Sequence, residues 1–257
     1  MNRYQSIADY YDSENERLEI LRRDVPFFLK HLPGRRLTVL ELATGTARAA
    51  IPIAQAGHAV TGVERDPAML AIAKRKRDAV GLTDSQLKLL RGDVLKLNLR
   101  KKFDRVAIFF NTFLAFTTLE QQDRLLQNVR RHLKPSGRFW LDIFHPDHAM
   151  LAERHSRRLD PFTFHVPALD RTVSVEIDVR RDMSRQLIEL THNYKWFDPR
   201  GRERRQRTRI EMTAIFPREL QLLFERNNFR IEKLFGDYDG SPLSANSPRM
   251  IANCRMS

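Results

Sequence analysis

Short apolar segments of strand length alternate with helical segments between residues 36 and 144, and this alternation limits the folds open to the chain. The strand-like segments are residues 36–42, 59–64, 87–93, 103–110 and 138–144. Parallel neighbouring strands need a crossover connection, which is usually a helix. The pattern therefore predicts a parallel sheet with helices on both of its faces.

Local signals place the helix ends. Residues 46–57 predict a helix that Gly57 closes. Asp66 is suited to cap the next helix, with Pro67 at its first position. Thr117 and Glu120 have the spacing of a capping box at the start of the helix over residues 119–133.

After residue 145 the pattern changes to long stretches with a period of two, at residues 171–182, 186–198 and 203–216. In the second stretch one face carries Ile188, Leu190, His192, Tyr194 and Trp196. Such alternation is typical of antiparallel strands, so we expect an inserted sheet of about three strands. It would serve as a lid or as an oligomer contact, and a homodimer through this sheet is one expectation.

Two closing strands, over residues 229–236 and 248–254, complete the prediction. The fold class is α/β, with a Rossmann-like seven-stranded mixed sheet, helices on both faces and the inserted antiparallel sheet. We divide the chain into residues 1–147 (N-terminal helices and cofactor-binding core), 148–216 (insertion) and 217–257 (return to the core).

The chain has 257 residues and a formal net charge of +13, which would attract nucleic acid, anionic lipid or an anionic small substrate. No stretch approaches the ~20 apolar residues of a membrane span, and the N-terminus lacks the apolar core of a signal peptide. The single cysteine, Cys254, has no internal disulfide partner and no metal-ligand spacing around it. We expect a cytoplasmic protein without a metal site.

The segment TVLELATGTARAA, residues 38–50, has the form of a strand, a glycine-containing turn and a helix, which favours an anionic or nucleoside ligand. Glu64 ends the next strand, at a spacing from Gly45 that suits a carboxylate on ribose hydroxyls. Ala43 and Arg48 replace two glycines of the dinucleotide fingerprint, which argues against NAD. Glu41 is an acid in a buried strand and needs a cationic partner, which a cofactor with an ammonium group supplies.

These residues resemble class I S-adenosylmethionine-dependent methyltransferases. VLELATGTAR is similar to the first motif of that family, with Ala43 and Ala47 at the outer glycine positions. GVERDPAML and LRGDV resemble the second and third motifs, and YQSIADYYD resembles an N-terminal segment whose tyrosines close over the cofactor. The branch most similar is that of small-molecule enzymes, the sugar-nucleotide and glycine-type N-methyltransferases.

The resemblance implies that S-adenosyl-L-methionine is the cofactor and S-adenosyl-L-homocysteine the product. It implies Glu64 on the ribose, Met69 near the adenine, Asp93 toward the adenine amino group and the Val94 backbone N–H nearby. The complete set of cofactor residues we expect is Tyr11, Glu41, Ala43, Gly45, Glu64, Arg65, Met69, Gly92, Asp93, Val94 and Asn111.

Methyl transfer to a hydroxyl needs a base, whereas an amine needs only to be neutral. His145, after the fifth strand, and Tyr11 are the residues we expect to act on the acceptor. The plainer alternatives are that His145 satisfies a backbone carbonyl and that the tyrosine packs in a helix. His192 either points into the site from the inserted sheet or, as the plainer alternative, is a packed histidine. The acceptor atom, N or O, stays open.

Two other functions remain compatible with the sequence. An rRNA or tRNA methyltransferase is favoured by the charge and by the run Arg200–Arg209, although a solvated strand face is the default interpretation of that run. NTFL at residues 111–114 lacks the prolines of an adenine-N6 enzyme. A non-catalytic S-adenosylmethionine-binding protein is the other alternative, supported by the two alanines.

Overall fold

The computed structural model describes residues 7–157 and 161–257, so residues 4–6 of the N-terminal tyrosine segment lie outside the described residues. The strands are β1 (Thr38–Leu42), β2 (Ala59–Glu64), β3 (Leu87–Arg91), β4 (Phe103–Ile108), β5 (Leu133–Phe144), β6 (His155–Arg157), β7 (Phe162–Val166), β8 (Arg171–Asp182), β9 (Leu187–Phe197), β10 (Glu203–Thr213), β11 (Phe229–Phe235) and β12 (Arg249–Met256). The helices are α1 (Ala8–Glu16), α2 (Asp24–Lys30), α3 (Ala50–Gln55), α4 (Pro67–Ala79), α5 (Leu119–His132), α6 (His148–Ala152) and α7 (Pro217–Arg226).

Seven strands form the main sheet, in the order β11-β12-β5-β4-β1-β2-β3. Strands β1 to β5 pair in parallel, and β12 pairs antiparallel with both β5 and β11. The predicted seven-stranded mixed sheet is confirmed. From β1 the sheet continues to β2 and β3 on one side and to β4 and β5 on the other, so the strand order reverses between β1 and β4. Such α/β folds bind ligands at the point of reversal.

Helices cover both faces of this sheet, as predicted. On one face α5 and α7 pack onto the strands through residues such as Leu125, Val129 and Phe224. On the other face α2, α3 and α4 contribute Phe28, Ile53 and other buried side chains. The apolar strands are therefore buried on both sides, which explains why they lack a polar alternation.

Two helix starts differ from prediction. Helix α3 begins at Ala50 rather than at residue 46, because residues 45–49 form turns around the loop that follows β1. The capping box of α5 uses Thr118 and Gln121, so the predicted pair, one residue earlier, is wrong. Thr118 has the extended backbone of a cap, and its hydroxyl accepts the Gln121 N–H.

The inserted sheet is antiparallel, with the order β10-β9-β8-β6 and with β7 also paired to β8. It has five strands within the described residues, against the expectation of about three. Strand β6 is too short to show a period of two, whereas β7 does alternate, with Phe162, Phe164 and Val166 on one face. The two strands pair with different parts of the long strand β8. The boundaries at residues 147/148 and 216/217 stay a prediction.

Helix α1 packs on the inserted sheet. The Tyr10 ring lies 5.5 Å from the ring of Tyr194 and 5.9 Å from that of Trp196. Arg171 donates a hydrogen bond of 3.0 Å to the Tyr10 hydroxyl. The N-terminal helix thereby joins the insertion into one wall. None of the helices in residues 7–157 and 161–257 has the length and apolar character needed to cross a membrane.

Candidate functional site

A cavity of about 390 Å³ lies between the carboxyl ends of the central strands, helix α1 and the inserted sheet. Its volume lies within the ~300–1,000 Å³ range of small-molecule sites. Most of the residues expected at the cofactor line it, namely Tyr11, Ala43, Gly45, Glu64, Arg65, Met69, Gly92, Asp93, Val94 and Asn111. The fold thus brings residues from four separate loops and from α1 to one place.

The loop after β1 adopts glycine-like backbone angles even where glycine is missing. The φ angles are 56° at Ala43, 58° at Gly45 and 61° at Ala47. These values lie in the left-handed region, which costs an L-residue about 1–2 kcal/mol. The two alanines at the outer motif positions therefore preserve the loop conformation, at some expense in stability.

Glu64 is fixed by backbone N–H groups at the end of β2. Its Oε2 accepts from Gly45 N at 2.9 Å, and its Oε1 accepts from Arg65 N at 2.9 Å and Asp66 N at 2.8 Å. Burial raises the pKa of this carboxyl, while these bonds act in the opposite direction. The three bonds fix the side chain in one orientation toward the cavity. Because a carboxylate accepts about four hydrogen bonds, Glu64 still has capacity for a hydroxyl donor.

Glu41 lies beneath the same loop and does not line the cavity. Its side chain is buried, and Thr44 Oγ1 donates to its Oε2 at 2.6 Å. Burial raises the pKa of Glu41 to about 7. No lysine, arginine or histidine of the described ranges forms an ion pair with it, and the nearby Arg48 pairs with Asp24 instead. A buried carboxyl of this kind is stabilised as an anion only when a cation comes close.

The chain turns sharply after β4, at Phe110 and Asn111, with φ angles of 42° and 60°. Asn111 Oδ1 accepts from Phe144 N at 2.7 Å and from Arg249 at 3.0 Å. Arg249 in turn donates two bonds, of 3.0 and 2.6 Å, to Asp142 Oδ1. This buried network holds a left-handed turn that a bulky residue rarely adopts, and the turn forms part of the cavity wall.

Tyr238, one of the polar residues of the loop before the last strand, belongs to the same network. Its hydroxyl donates to Asp142 Oδ2 at 2.6 Å. Burial, reinforced by the Asp142 charge, raises the pKa of Tyr238 well above its ordinary value. It is thus a structural donor and not a base. The sequence offered no signal for this network, because its members lie far apart along the chain. Asp142 and Arg249, for example, are more than a hundred residues apart.

His145 lies outside the residues that line the cavity. Its ring Nδ1 is 3.0 Å from the Ser247 carbonyl oxygen, and its backbone N–H donates to Pro248 at 3.1 Å. This is the arrangement of the plainer alternative, in which the histidine satisfies a backbone carbonyl. Tyr11, the other residue expected to act on the acceptor, does line the cavity.

The wall opposite the motif loops carries three polar residues, of which the sequence analysis had interpreted His192 as packed and had not considered Glu14. Glu14 on α1 contacts His192 on β9, with 3.1 Å between Glu14 Oε1 and His192 Nδ1. The Tyr194 hydroxyl donates to Glu14 Oε2 at 2.7 Å. All three line the cavity. The period of two had placed His192 and Tyr194 on one face, but only the docking of α1 brings Glu14 onto them.

The charge of the cavity lining is opposite in sign to that of the chain. The lining contains five carboxylates and two guanidinium groups, although the chain as a whole carries a formal charge of +13. The acids are Glu14, Glu64, Asp66, Asp93 and Glu211, and the bases are Arg17 and Arg65. The positive charge therefore lies mainly on the outer surface, and the cavity itself favours cationic groups.

Comparison with known proteins agrees with the motifs. Residues 39–137 match the model of a family described as "Methyltransferase domain". The matched residues include the loops after β1 to β4 that line the cavity, so this part of the chain is similar to a methyltransferase domain. The chain is 26% identical to the cypemycin N-terminal methyltransferase of a Streptomyces species, over 88% of this chain and 86% of that protein.

Solved structures share the fold. A S-adenosylmethionine-dependent methyltransferase from Clostridium acetobutylicum superimposes with a TM-score of 0.79 at 17% identity, covering 99% of both chains. A sugar N-methyltransferase from a Streptoalloteichus species superimposes with a TM-score of 0.73 at 19% identity, covering 100% of this chain and 94% of that one. The inserted sheet therefore belongs to a recurring architecture of this fold, since both comparisons span nearly the whole chain.

S-adenosyl-L-methionine is the cofactor that the matched methyltransferase domain points to, and its sulfonium would supply the methyl group. The residues present fit that molecule on two counts. Glu41 is a buried carboxyl that lacks a cationic partner among the described residues, and Glu64 is a carboxylate fixed at the end of β2 with capacity for a hydroxyl.

Proposed function

We propose that the methyltransferase transfers the methyl group of S-adenosylmethionine to the nitrogen of a small-molecule amine and releases S-adenosylhomocysteine. The observation that carries this proposal is the acidic lining of the cavity, in which Glu14 on α1 and Glu211 on β10 add carboxylates beyond those of the motif loops. An amine is an ammonium ion in neutral water, and carboxylates attract it into the site. An anionic acceptor, which the net charge alone favoured, has less support because it would meet these carboxylates.

The residues that would hold the cofactor are those at the ends of β1 to β4. In this proposal Glu64 accepts from a ribose hydroxyl, Glu41 provides negative charge for the methionine ammonium, and Asp93 accepts from the adenine amino group. Met69 and Val94 flank the adenine. These residues line one cavity, apart from Glu41 beneath it, which supports the assignment.

The acceptor would then lie between that end of the cavity and the inserted sheet. Apolar residues of the insertion, among them Ile177, Leu190 and Met212, line this side. They exclude water from the reacting atoms, and the closed site aligns the acceptor nitrogen for an in-line displacement. The names of two similar proteins, an N-terminal methyltransferase and a sugar N-methyltransferase, agree with a nitrogen acceptor.

The RNA alternative has less support than the charge suggests. The basic run Arg200–Arg209 covers a hairpin turn and the first part of β10, and its members do not line the cavity. Arg204 there pairs with Asp198 at 2.8 Å on the surface. A binding protein without catalytic activity is disfavoured because the alanine-substituted loop keeps the left-handed angles of a glycine loop.

The function is tested with matched acceptors. The full chain is incubated with S-adenosylmethionine and a panel of small amines, each paired with its hydroxyl or N-acetyl counterpart. The panel includes D-glucosamine against D-glucose and an alanine-initiated tripeptide against its N-acetylated form. We expect a methylated product, detected by mass spectrometry, from amines and not from their counterparts. Methylation of the hydroxyl partners instead, or of no member while RNA is methylated, would contradict the proposal.

The cofactor assignment predicts a large effect of Glu64→Ala. Loss of a partly desolvated charged hydrogen bond should weaken S-adenosylhomocysteine binding by about 2–4 kcal/mol, which is a factor of roughly 30 or more. Isothermal titration calorimetry measures this, with thermal unfolding as the check that the variant folds. Glu225→Ala, an exposed acid on α7, is the matched control and should bind as the wild type does. Equal affinity of both variants would overturn the placement of the ribose at Glu64.

A further inference from the structure

Glu14, His192 and Tyr194 form a hydrogen-bonded triad on the cavity wall opposite the motif loops. We propose that His192, oriented by Glu14, accepts the proton that the acceptor ammonium must lose before methyl transfer. This inference rests on the proposed function, because it names the group that prepares a nitrogen acceptor in the same cavity.

The hydrogen bonds of the triad fix which ring nitrogen carries the proton. Glu14 as a carboxylate only accepts, so the 3.1 Å contact assigns the N–H to His192 Nδ1. Tyr194 donates to the second carboxylate oxygen at 2.7 Å and keeps Glu14 in place. A neutral histidine protonated at Nδ1 has its lone pair on Nε2. The triad therefore presents a proton acceptor.

His192 Nε2 has no hydrogen-bond partner among the residues that the structure describes, while the histidine as a whole lines the cavity. The side chain of His192 is 11% exposed and that of Glu14 is 13% exposed. Here one nitrogen is anchored, and the other is available to a molecule in the cavity.

The neighbours of His192 leave the triad as its main polar environment. Opposite it on the adjoining strands stand Ile177 on β8 and Thr208 on β10. Besides the triad, the charged or titratable groups of the cavity lining are Tyr11, Arg17, Glu64, Arg65, Asp66, Asp93 and Glu211. Glu14 is the carboxylate in contact with Nδ1–H of His192.

The proposed step balances as follows. One proton passes from the acceptor ammonium to His192 Nε2, which leaves a lone pair on the acceptor nitrogen. That nitrogen forms a bond to the methyl carbon while the carbon–sulfur bond breaks and its electron pair stays on sulfur. The products are the methylated ammonium, S-adenosylhomocysteine and the imidazolium, which returns its proton to solvent when the product leaves.

The test compares pH profiles of His192→Gln and Glu14→Gln, using the amine of the panel that the wild type methylates fastest. We expect His192→Gln to lower kcat about 100-fold or more at neutral pH. The loss should shrink as pH rises, because solvent then deprotonates the amine. Glu14→Gln should reduce kcat less. Both variants should bind S-adenosylhomocysteine as the wild type does, which shows that the fold and the cofactor site are intact.

Two controls use exposed residues of the same elements, His165→Gln on β7 and Glu16→Gln on α1, and both should keep the wild-type profile. A readout independent of turnover is the nitrogen NMR spectrum of His192 in the cofactor-free protein, which should show the Nδ1-protonated form and lose that preference in Glu14→Gln. If the wild type methylates the amines but His192→Gln has the same pH profile as the wild type, the role of the triad is overturned while the proposed function stands. If wild type methylates no amine, the proposed function fails, and the proton-transfer role fails with it.

Discussion

At the scale of single residues, the two alanines of the first motif show that the loop keeps its left-handed backbone angles even where alanine replaces glycine. Ala43 and Ala47 both have positive φ, the angle that glycine adopts without penalty. Surrounding contacts impose it: Ala47 is fully buried in the core on the helix α3 side of the sheet. The loop is thus determined by the strand before it and the helix after it, and alanine is small enough to comply.

Glu41 leads to a prediction about pH and stability. Its pKa is raised to about 7 in the folded chain by burial, against 4.5 for the ordinary carboxyl. Between these values the unfolded chain loses the proton while the folded chain keeps it, so folding stability falls as pH rises from 4.5 through 7. Below that window the two states carry the same proton, and the effect vanishes.

We therefore expect Glu41→Gln to raise the free energy of unfolding of the cofactor-free protein by up to about 3 kcal/mol at pH 8, and by little at pH 4.5. Urea unfolding at both pH values measures the difference. Glu225→Gln, an exposed acid, should change stability little at either pH. A gain for Glu41→Gln that is equal at both pH values would show that ionisation of Glu41 is not its source.

At the scale of elements, a buried ionic network adds to the apolar contacts that hold the ends of β4, β5 and β12 together. Asp142 on β5 and Arg249 on β12 are both buried; two nitrogens of Arg249 donate to Asp142 Oδ1, and a third donates to Asn111 after β4. Three strands are thereby fixed at the edge of the sheet where the cavity opens. Such a network secures a strained turn that apolar packing alone would let relax.

Arg249→Leu should destabilise the protein by about 3–5 kcal/mol, because it leaves the Asp142 carboxylate buried without its cation. Denaturant unfolding measures this loss. The control is Arg204→Leu, which removes an exposed ion pair with Asp198 and should cost less than about 1 kcal/mol. Similar small losses from both substitutions would mean that Asp142 is compensated by other groups and that Arg249 does not hold the turn.

At the scale of the whole molecule, the cavity is completed by parts of the chain that are distant in sequence. The central strands supply one wall, and α1 with the inserted sheet supplies the other. Thr46 of the motif loop donates to Asp12 of α1 at 2.6 Å, and Lys76 of α4 donates to the same carboxylate at 2.9 Å. Helix α1 is therefore one link between the core and the insertion.

Because α1 is anchored to the insertion by Tyr10, Tyr10→Ala should release it. Truncation of a buried aromatic side chain costs about 3–5 kcal/mol, and we expect this loss to appear as local opening of α1. Hydrogen exchange followed by mass spectrometry should show faster exchange in α1 and β9, with β1, β4 and β5 unchanged. Tyr10→Phe keeps the ring contacts and loses only the Arg171 bond, so it should exchange nearly as the wild type does. Uniformly faster exchange in Tyr10→Ala would contradict a local role.

Much of the fold follows from local patterns. The five parallel strands, the closing strands and the three long strands of the insertion are each marked by apolar runs or by a period of two. Strand β6 was missed because three residues carry too little periodicity, whereas β7 carries a short alternation, Phe162, Phe164 and Val166, that a closer reading of the sequence would find. The shift of the capping box from Thr117 to Thr118 reflects competing hydroxyls at adjacent positions, of which only the backbone angles select one.

The sequence by itself determined the sheet, its order of elements and the motif residues that meet at the cavity, because strand ends and glycine-type turns are specified by neighbouring residues. Only the tertiary structure decided that His145 faces a backbone carbonyl, that Asp142, Arg249 and Tyr238 form one network, and that Glu14 meets His192. These contacts join elements whose relative positions arise from packing of the whole core, and no spacing along the chain encodes them.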